Sequence, residues 1–349
     1  MRWTGFSLNF LWRTPARSDR LCLVDTTLAI TYHEHGKPAD VLRLEERPLP
    51  EVGPQEVKIK LLKAVINPSD FGMVLGSYGK LAELPAVGGR EGVAEVIEVG
   101  SEVTHLRAGD RIRFPENAGV WQTAAVVPAK DVWKVPADVD LDLAAMAWVN
   151  PPTAWRILRD ANIHEGSWIV QNAANSAVGL FTIQMAKYLG LRTLNVVRRE
   201  ELIEPLKGYG ADVVVTEDSG YEKQVKALTD GGEVTLAFNS VGGESAIRLV
   251  KALSRGGTHI TFGAMTFEAV RWPTRYLIFN DICLKGFWLD RWYRDNSPER
   301  IQVMFDNLFN LMRTGVISAP VSATYKIQDF AQALEASTSP KLGKVLLEP

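Results

Sequence analysis

The run Val170-Gln-Asn-Ala-Ala-Asn-Ser-Ala-Val-Gly179 has residue types and spacing suited to holding a phosphate. It overlaps an apolar stretch, Trp168-Ile-Val-Gln171, and leads into apolar residues at helical spacing from Val178 to Leu189. A helix that opens just after a strand offers free backbone N–H groups and the positive end of its dipole to a dinucleotide pyrophosphate. The usual glycine fingerprint is missing. Ala173, Ala174, Ser176 and Ala177 are instead small enough to leave room, and Asn175 and Ser176 can add side-chain hydrogen bonds, so Asn175 to Val178 are the expected phosphate contacts. Asn175 or Ser176 could equally serve as no more than a helix cap.

A second run, Asn195-Val-Val-Arg-Arg-Glu200, ends the next apolar stretch. At about 20 residues beyond the loop, NAD-dependent proteins place a carboxylate for the ribose hydroxyls. Here Arg198 and Arg199 stand there, and guanidinium groups pair with a phosphate in a bidentate way, which points to NADPH over NADH. Glu200 could still receive a ribose hydroxyl, so NAD stays open. Asn239-Ser-Val-Gly-Gly243 and Phe262-Gly-Ala-Met265 also follow apolar stretches. Ligands of open α/β sheets lie beyond the carboxyl ends of the strands, so both runs, with Phe262, Gly263, Ala264 and Met265 among them, are expected to line the nicotinamide half of the groove. Turn formation by the glycines is the plainer reading of both runs.

These residues need a parallel sheet to position them. Trp168 to Gln171, Thr193 to Val197, Asp212 to Val215, Val234 to Phe238 and Thr258 to Phe262 read as strands with helical stretches between, the rhythm of a doubly wound sheet covered on both faces. Before Pro152 the pattern differs. Leu28 to Tyr32, Leu42 to Glu46, Glu56 to Val65, Gly92 to Val99, Arg111 to Phe114 and Trp121 to Val127 are short strands punctuated by Gly and Pro, which predicts an antiparallel, partly closed β-domain. Asp70 to Pro85 reads as an exposed loop around Gly76-Ser-Tyr-Gly79. A helix from Pro298 to Arg313, strands at Val321 to Tyr325 and Lys344 to Leu347, and a helix from Asp329 would return the chain to that first domain.

Length fits two domains. Lys+Arg 39 against Asp+Glu 41 gives no global positive field, which disfavours nucleic acid as a partner, and no apolar run is long enough to span a membrane. Cys22 and Cys283 are too few for a disulfide framework, so a reducing, cytoplasmic setting is expected. Residues 1–24 carry Arg2, Arg13, Arg17 and Arg20 against Asp19 alone. They read as an extension outside the folded part, or as a transit peptide, which would make the protein mitochondrial.

Taken together, Asn67-Pro-Ser-Asp70, Gly76-Ser-Tyr-Gly79, Leu84-Pro-Ala-Val-Gly-Gly89, Glu91-Gly92, Asn150-Pro-Pro-Thr-Ala154, Gln171-Asn-Ala-Ala-Asn-Ser176, Asn195-Val-Val-Arg198 and Gly286-Phe-Trp-Leu289 give the chain from about residue 26 onward a family likeness. It resembles the mitochondrial-type trans-2-enoyl-thioester reductases, zinc-free members of the medium-chain dehydrogenase/reductase superfamily. The resemblance implies a Rossmann α/β domain over 152–292 and a GroES-like, partly closed β-barrel catalytic domain over 25–151 and 293–349. It also implies an NADPH-dependent reduction of enoyl-CoA or enoyl-acyl-carrier-protein in fatty acid synthesis, and a homodimer. Zinc-bearing relatives place a Cys before the Asn67 region and His-Glu at Arg90-Glu91; here both are absent, so no metal is expected. His33-Glu-His35 reads as two solvated residues on one face of a strand. The family usually shows Asn at Arg90 and Gly at Ala177, so a more positive substrate floor and a tighter phosphate turn are expected here.

The resemblance also assigns roles. Reduction of a conjugated thioester piles charge on the carbonyl oxygen, and without zinc a preorganised donor must meet it. Tyr78 is the implied donor, since a phenol stays protonated at neutral pH. Trp288, with Phe287 and Leu289, would border the nicotinamide and acyl chain. Asn150 would contact the cofactor, and Lys344 would meet the adenosine phosphate. Read on its own, Tyr78 is an amphipathic surface ring, and Phe287 is core packing. Two other functions stay open: an NADPH quinone or alkenal reductase on the same scaffold, and a non-catalytic NADPH-binding regulator.

Overall fold

The computed structural model describes residues 26–161 and 163–349; the extension 1–24 and Cys22 therefore lie outside the described residues. One half of the molecule is a six-stranded parallel sheet of Trp168–Gln171, Arg192–Val197, Val213–Thr216, Val234–Asn239, Thr258–Thr261 and Cys283–Gly286. Numbered along the chain, these strands lie in the order 3-2-1-4-5-6, the doubly wound arrangement whose switch point falls between the first and fourth. The expected parallel strands form within a residue or two of their predicted ends. The sheet's sixth strand, Cys283–Gly286, is an addition.

The continuous apolar runs follow from burial on both faces. Ile169, Leu236 and Phe238 pack with Phe181 and Met185 of helix Ala177–Tyr188 and Trp155 of helix Asn150–Asp160. On the other face, Val170, Leu194 and Val196 pack with Leu249 and Val250 of helix Gly243–Ala252. Burying each such side chain stabilises the fold by roughly 1.5–3 kcal/mol. Pro151 and Pro152 sit in the first turn of Asn150–Asp160, where the missing N–H costs nothing.

The other half is antiparallel. Glu56–Val65 pairs with Gly92–Val99, with Ala124–Pro128 and with the returning strand Lys344–Glu348, which in turn carries Val321–Lys326 as a parallel neighbour. A smaller sheet of Arg43–Pro48, Thr26–Tyr32 and Ala86–Val87 is joined to it through an Ala29–Gln122 bridge, so the domain is partly closed. Ile30, Ile59, Val96, Ile112, Phe114 and Trp121 fill its core.

The expected loop from Asp70 to Pro85 needs correction, because Pro68–Leu75 is a helix. Asn67 caps it, Pro68 opens it, and the Asp70 carboxylate accepts from the Asn67 backbone N–H at 2.6 Å. Gly76, at φ 76°, ends the helix in a left-handed cap and turns the chain toward Tyr78. Among the described residues no helix is long and apolar enough to cross a membrane.

Candidate active site

The loop after the first parallel strand is built without the usual glycines except one. Ala173 supplies the left-handed turn at φ 46°, and Ala177 opens the helix in an ordinary first-turn position. Ser176 caps that helix, its Oγ accepting from the Gly179 N–H at 3.1 Å. Gly179 is indispensable: a Cβ there would lie 2.4 Å from the Ala174 carbonyl oxygen. Asn172, which the sequence did not single out, anchors the loop across the switch point. Its amide donates to Asn239 Oδ1 at 2.8 Å and to Ser245 Oγ at 3.1 Å, and its Oδ1 accepts from the Ser240 N–H at 2.9 Å. Polar residues closing two neighbouring apolar strands were the available signal.

At the end of the second strand, Arg198 and Arg199 differ. Arg199 is paired with Glu201 at 2.9 Å, whereas Arg198 is exposed and pairs with no carboxylate among the described residues. Glu200 is also exposed and starts the short turn Glu200–Leu202. The small-residue cradle beside an unpaired guanidinium fits a dinucleotide that carries an extra phosphate.

The run Phe262 to Met265 divides. Phe262 turns its ring edge-on to Phe238, at 6.1 Å between centroids, and is half-buried against the core. Gly263 lets the chain pass Ser240, whose carbonyl oxygen would be 3.1 Å from an added Cβ, while Ala264 and Met265 are exposed. Phe287 packs against the same core, and Leu289 is buried; of that trio, Trp288 reaches Tyr78.

Tyr78 and Trp288 meet across the cleft between the halves. The indole N–H of Trp288 donates to the Tyr78 hydroxyl oxygen at 3.2 Å, and the rings stand edge to face, with 6.2 Å between centroids. Arg90 lies over the phenol ring, its guanidinium carbon 4.4 Å from the ring centre. Its Nε donates to Glu116 at 2.6 Å and its Nη2 to Asp290 at 2.7 Å. The expected positive floor is therefore neutralised by two carboxylates. Burial would lower the guanidinium's pKa, but Glu116, Tyr78 and Asp290 more than reverse that, so Arg90 stays charged. Burial also raises the pKa of Tyr78, against the opposing pull of Arg90, which keeps the phenol protonated.

Behind this pair lies a buried polar cluster. Glu91 accepts from the backbone N–H groups of Trp148 and Val149 at 2.8 and 2.7 Å, from Asn67 at 2.7 Å and from Asn150 at 3.3 Å. The Lys344 ammonium bonds Asn67 Oδ1, which also accepts from Asn150 at 3.2 Å. Asn150 and Lys344, expected on the cofactor, thus spend these polar atoms on the junction between the halves. Leu342, just before Lys344, packs against the cluster of Ala174, Val197 and Leu202 under the phosphate loop. Burial lowers the Lys344 pKa to about 8 and raises that of Asp70 to about 7; Asp70 Oδ1 has no partner among the described residues.

With this geometry in place, comparison with known proteins decides the family. The human "Enoyl-[acyl-carrier-protein] reductase, mitochondrial" is 44% identical over 320 residues, covering 89% of this chain and 86% of its own length. This chain belongs to the mitochondrial-type enoyl-[acyl-carrier-protein] reductases. An Arabidopsis thaliana enoyl-[acyl-carrier-protein] reductase is 39% identical, with 90% of this chain and 86% of that protein covered. Family descriptions match as well: "Alcohol dehydrogenase GroES-like domain" over residues 53–137 and "Zinc-binding dehydrogenase" over 177–308. The structure of Etr1p with NADP and crotonyl-CoA superposes with a TM-score of 0.85 at 28% identity, covering 93% of this chain and all of that one. A Pseudomonas syringae quinone oxidoreductase gives 0.82 at 26% identity, with 93% and 100% covered.

The second family description implies zinc, and the residues of this reductase do not fit it. Among the described residues no three His, Cys, Asp or Glu side chains gather where they could hold a metal. At the Arg90-Glu91 position, one side chain is a cation paired with Glu116 and Asp290, and the other is saturated by backbone and amide donors.

Proposed function

We propose that this chain reduces the trans-2 double bond of an enoyl thioester, carried on coenzyme A or on acyl carrier protein, to the saturated acyl thioester in fatty acid synthesis. NADPH, seated on the Asn175–Val178 loop with its extra phosphate at Arg198, would supply the hydride to the β-carbon. One observation carries the reading of the site. An indole nitrogen only donates, so the bond from Trp288 occupies an acceptor site on Tyr78 and leaves the phenol's own hydrogen free. That hydrogen is available to the thioester oxygen as it gains charge, and the phenol then serves as the acid that supplies the α-carbon. Trp288 forms an apolar wall for the acyl group.

The competing reading, an NADPH quinone reductase, draws on the likeness to the Pseudomonas syringae protein. NADPH oxidation measured with crotonyl-CoA, longer enoyl-CoA esters, enoyl-acyl-carrier-protein and a quinone separates the two. Fast turnover on the thioesters, lost by about a hundredfold or more in Tyr78→Phe, is expected; turnover on the quinone alone overturns the assignment.

Relatives named mitochondrial favour reading residues 1–24 as a transit peptide, in place of the expected cytoplasmic setting. Fluorescent fusions with and without that segment test this. A homodimer is supported by the sheet's edge strand Cys283–Gly286, beside which Ile278 and Phe279 are 67% and 73% exposed. Etr1p of Candida tropicalis was also solved as an Etr1p/Etr2p heterodimer. Sedimentation of the purified protein checks the dimer, and a monomer at micromolar concentration would count against it.

A further inference from the structure

Three groups converge on Arg90, and they come from both halves of the molecule. Tyr78 and Glu116 belong to the antiparallel half, whereas Asp290 lies in helix Leu289–Arg294, directly after the last parallel strand and next to Trp288. Arg90 is 4% exposed and yet carries a full charge, so its place is set by these partners and not by water. A planar guanidinium can fork between two carboxylates while its face stays on an aromatic ring, which a lysine ammonium cannot do.

We propose that Arg90 is the positioning residue of this site: its guanidinium holds the Tyr78 ring in place and, through Asp290, fixes the half that carries Tyr78 against the half that carries Trp288. The proposal rests on the reading of Tyr78 as the proton donor. The phenol sits on the turn between Gly76 and Gly79, where the Ser77 and Tyr78 N–H groups donate to the Gly72 carbonyl and fix the backbone, leaving the ring to be held by its side-chain contacts. The indole touches its oxygen, and the Arg90 guanidinium lies 4.4 Å from the ring centre. Removing the guanidinium leaves the ring free to turn away from the indole, and it frees Glu116 and Asp290 to repel each other across the cleft. Turnover, which needs the hydroxyl at one point, then suffers more than cofactor binding at the distant Arg198.

The test is a pair of mutant cycles read by kcat, KM and thermal unfolding, with crotonyl-CoA and NADPH as substrates. Arg90→Met, which keeps the length of the stem and removes the charged fork, is expected to lower kcat by about 10- to 100-fold with the KM for NADPH within about threefold. In a Tyr78→Phe background the same change is expected to cost less than about twofold, because the hydroxyl it positions is gone. Asp290→Asn loosens only the arm across the cleft and leaves Glu116 on the guanidinium. It is expected to lower kcat by a smaller factor that likewise disappears with Tyr78→Phe, and it keeps the test open if Arg90→Met does not fold. Equal losses from Arg90→Met or Asp290→Asn in both backgrounds overturn the proposal and leave the phenol's role standing. A Tyr78→Phe enzyme as fast as the parent overturns both.

Discussion

Trp288 gives its only polar hydrogen to the oxygen of Tyr78, at 3.2 Å. Phenylalanine at 288 would keep an aromatic wall against the acyl group and lose that one bond. A neutral hydrogen bond contributes about 0.5–1.5 kcal/mol net, so Trp288→Phe is expected to lower kcat roughly 2- to 10-fold. Steady-state kinetics at saturating NADPH reads it, and an unchanged kcat would show that the indole does not orient the phenol.

The two arginines at the end of the second strand predict unequal effects. Arg198 is exposed and pairs with no carboxylate among the described residues, so Arg198→Ala is expected to remove bonds of about 1.5–3 kcal/mol to a phosphate. The KM for NADPH should rise by roughly 10- to 100-fold while that for NADH barely moves. Arg199 is held by Glu201, and Arg199→Ala should have a smaller effect. Equal responses with the two cofactors would place the extra phosphate elsewhere.

A methyl group at 179 has nowhere to go, since the Ala174 carbonyl oxygen is 2.4 Å from its position. Backbone must shift in the loop itself, a strain of about 1–3 kcal/mol. Gly179→Ala should lower the unfolding midpoint and weaken NADPH binding together, as read by thermal unfolding with and without cofactor. Full NADPH-induced stabilisation in this variant would argue that the phosphates do not sit on that turn.

Asp70 makes stability depend on pH. Burial raises its carboxyl from the usual 3.8 to about 7. Below pH 3.8 folded and unfolded chains both hold the proton, but between 3.8 and 7 only the folded chain does. Its contribution is therefore present in acid and lost as the pH rises toward 7. Chemical denaturation at pH 5 and pH 7.5 should show Asp70→Asn losing less stability than the parent across that interval; parallel behaviour would mean the carboxylate is already ionised in the fold.

What the sequence made legible was local. Trp168–Gln171, with no polar interruption before its last residue, and the alternation of Glu56–Val65 need only their own side-chain pattern to be read. Helix Pro68–Leu75 was legible too, through Asn67, Pro68 and Asp70, but the turn chemistry of Gly76-Ser-Tyr-Gly79 drew the loop reading over it. The junction was not. Glu91 meets amides 57 residues away, and Arg90 meets a carboxylate 200 residues away. No spacing rule predicts such pairs, because the fold alone brings them together. For the same reason the burial of Lys344 against Asn67 was not legible.

The bond from Lys344 to Asn67 spans 277 residues of chain, and the strand that carries Lys344 is laid directly against Glu56–Val65. The nucleotide-binding half is contiguous and built from neighbouring strand–helix units, whereas the other half must wait for its far segment to come back. Contacts of such long range form slowly. On dilution from denaturant, the ability to hold NADPH should therefore return first, and turnover should lag behind it until the two distant stretches of chain have found each other.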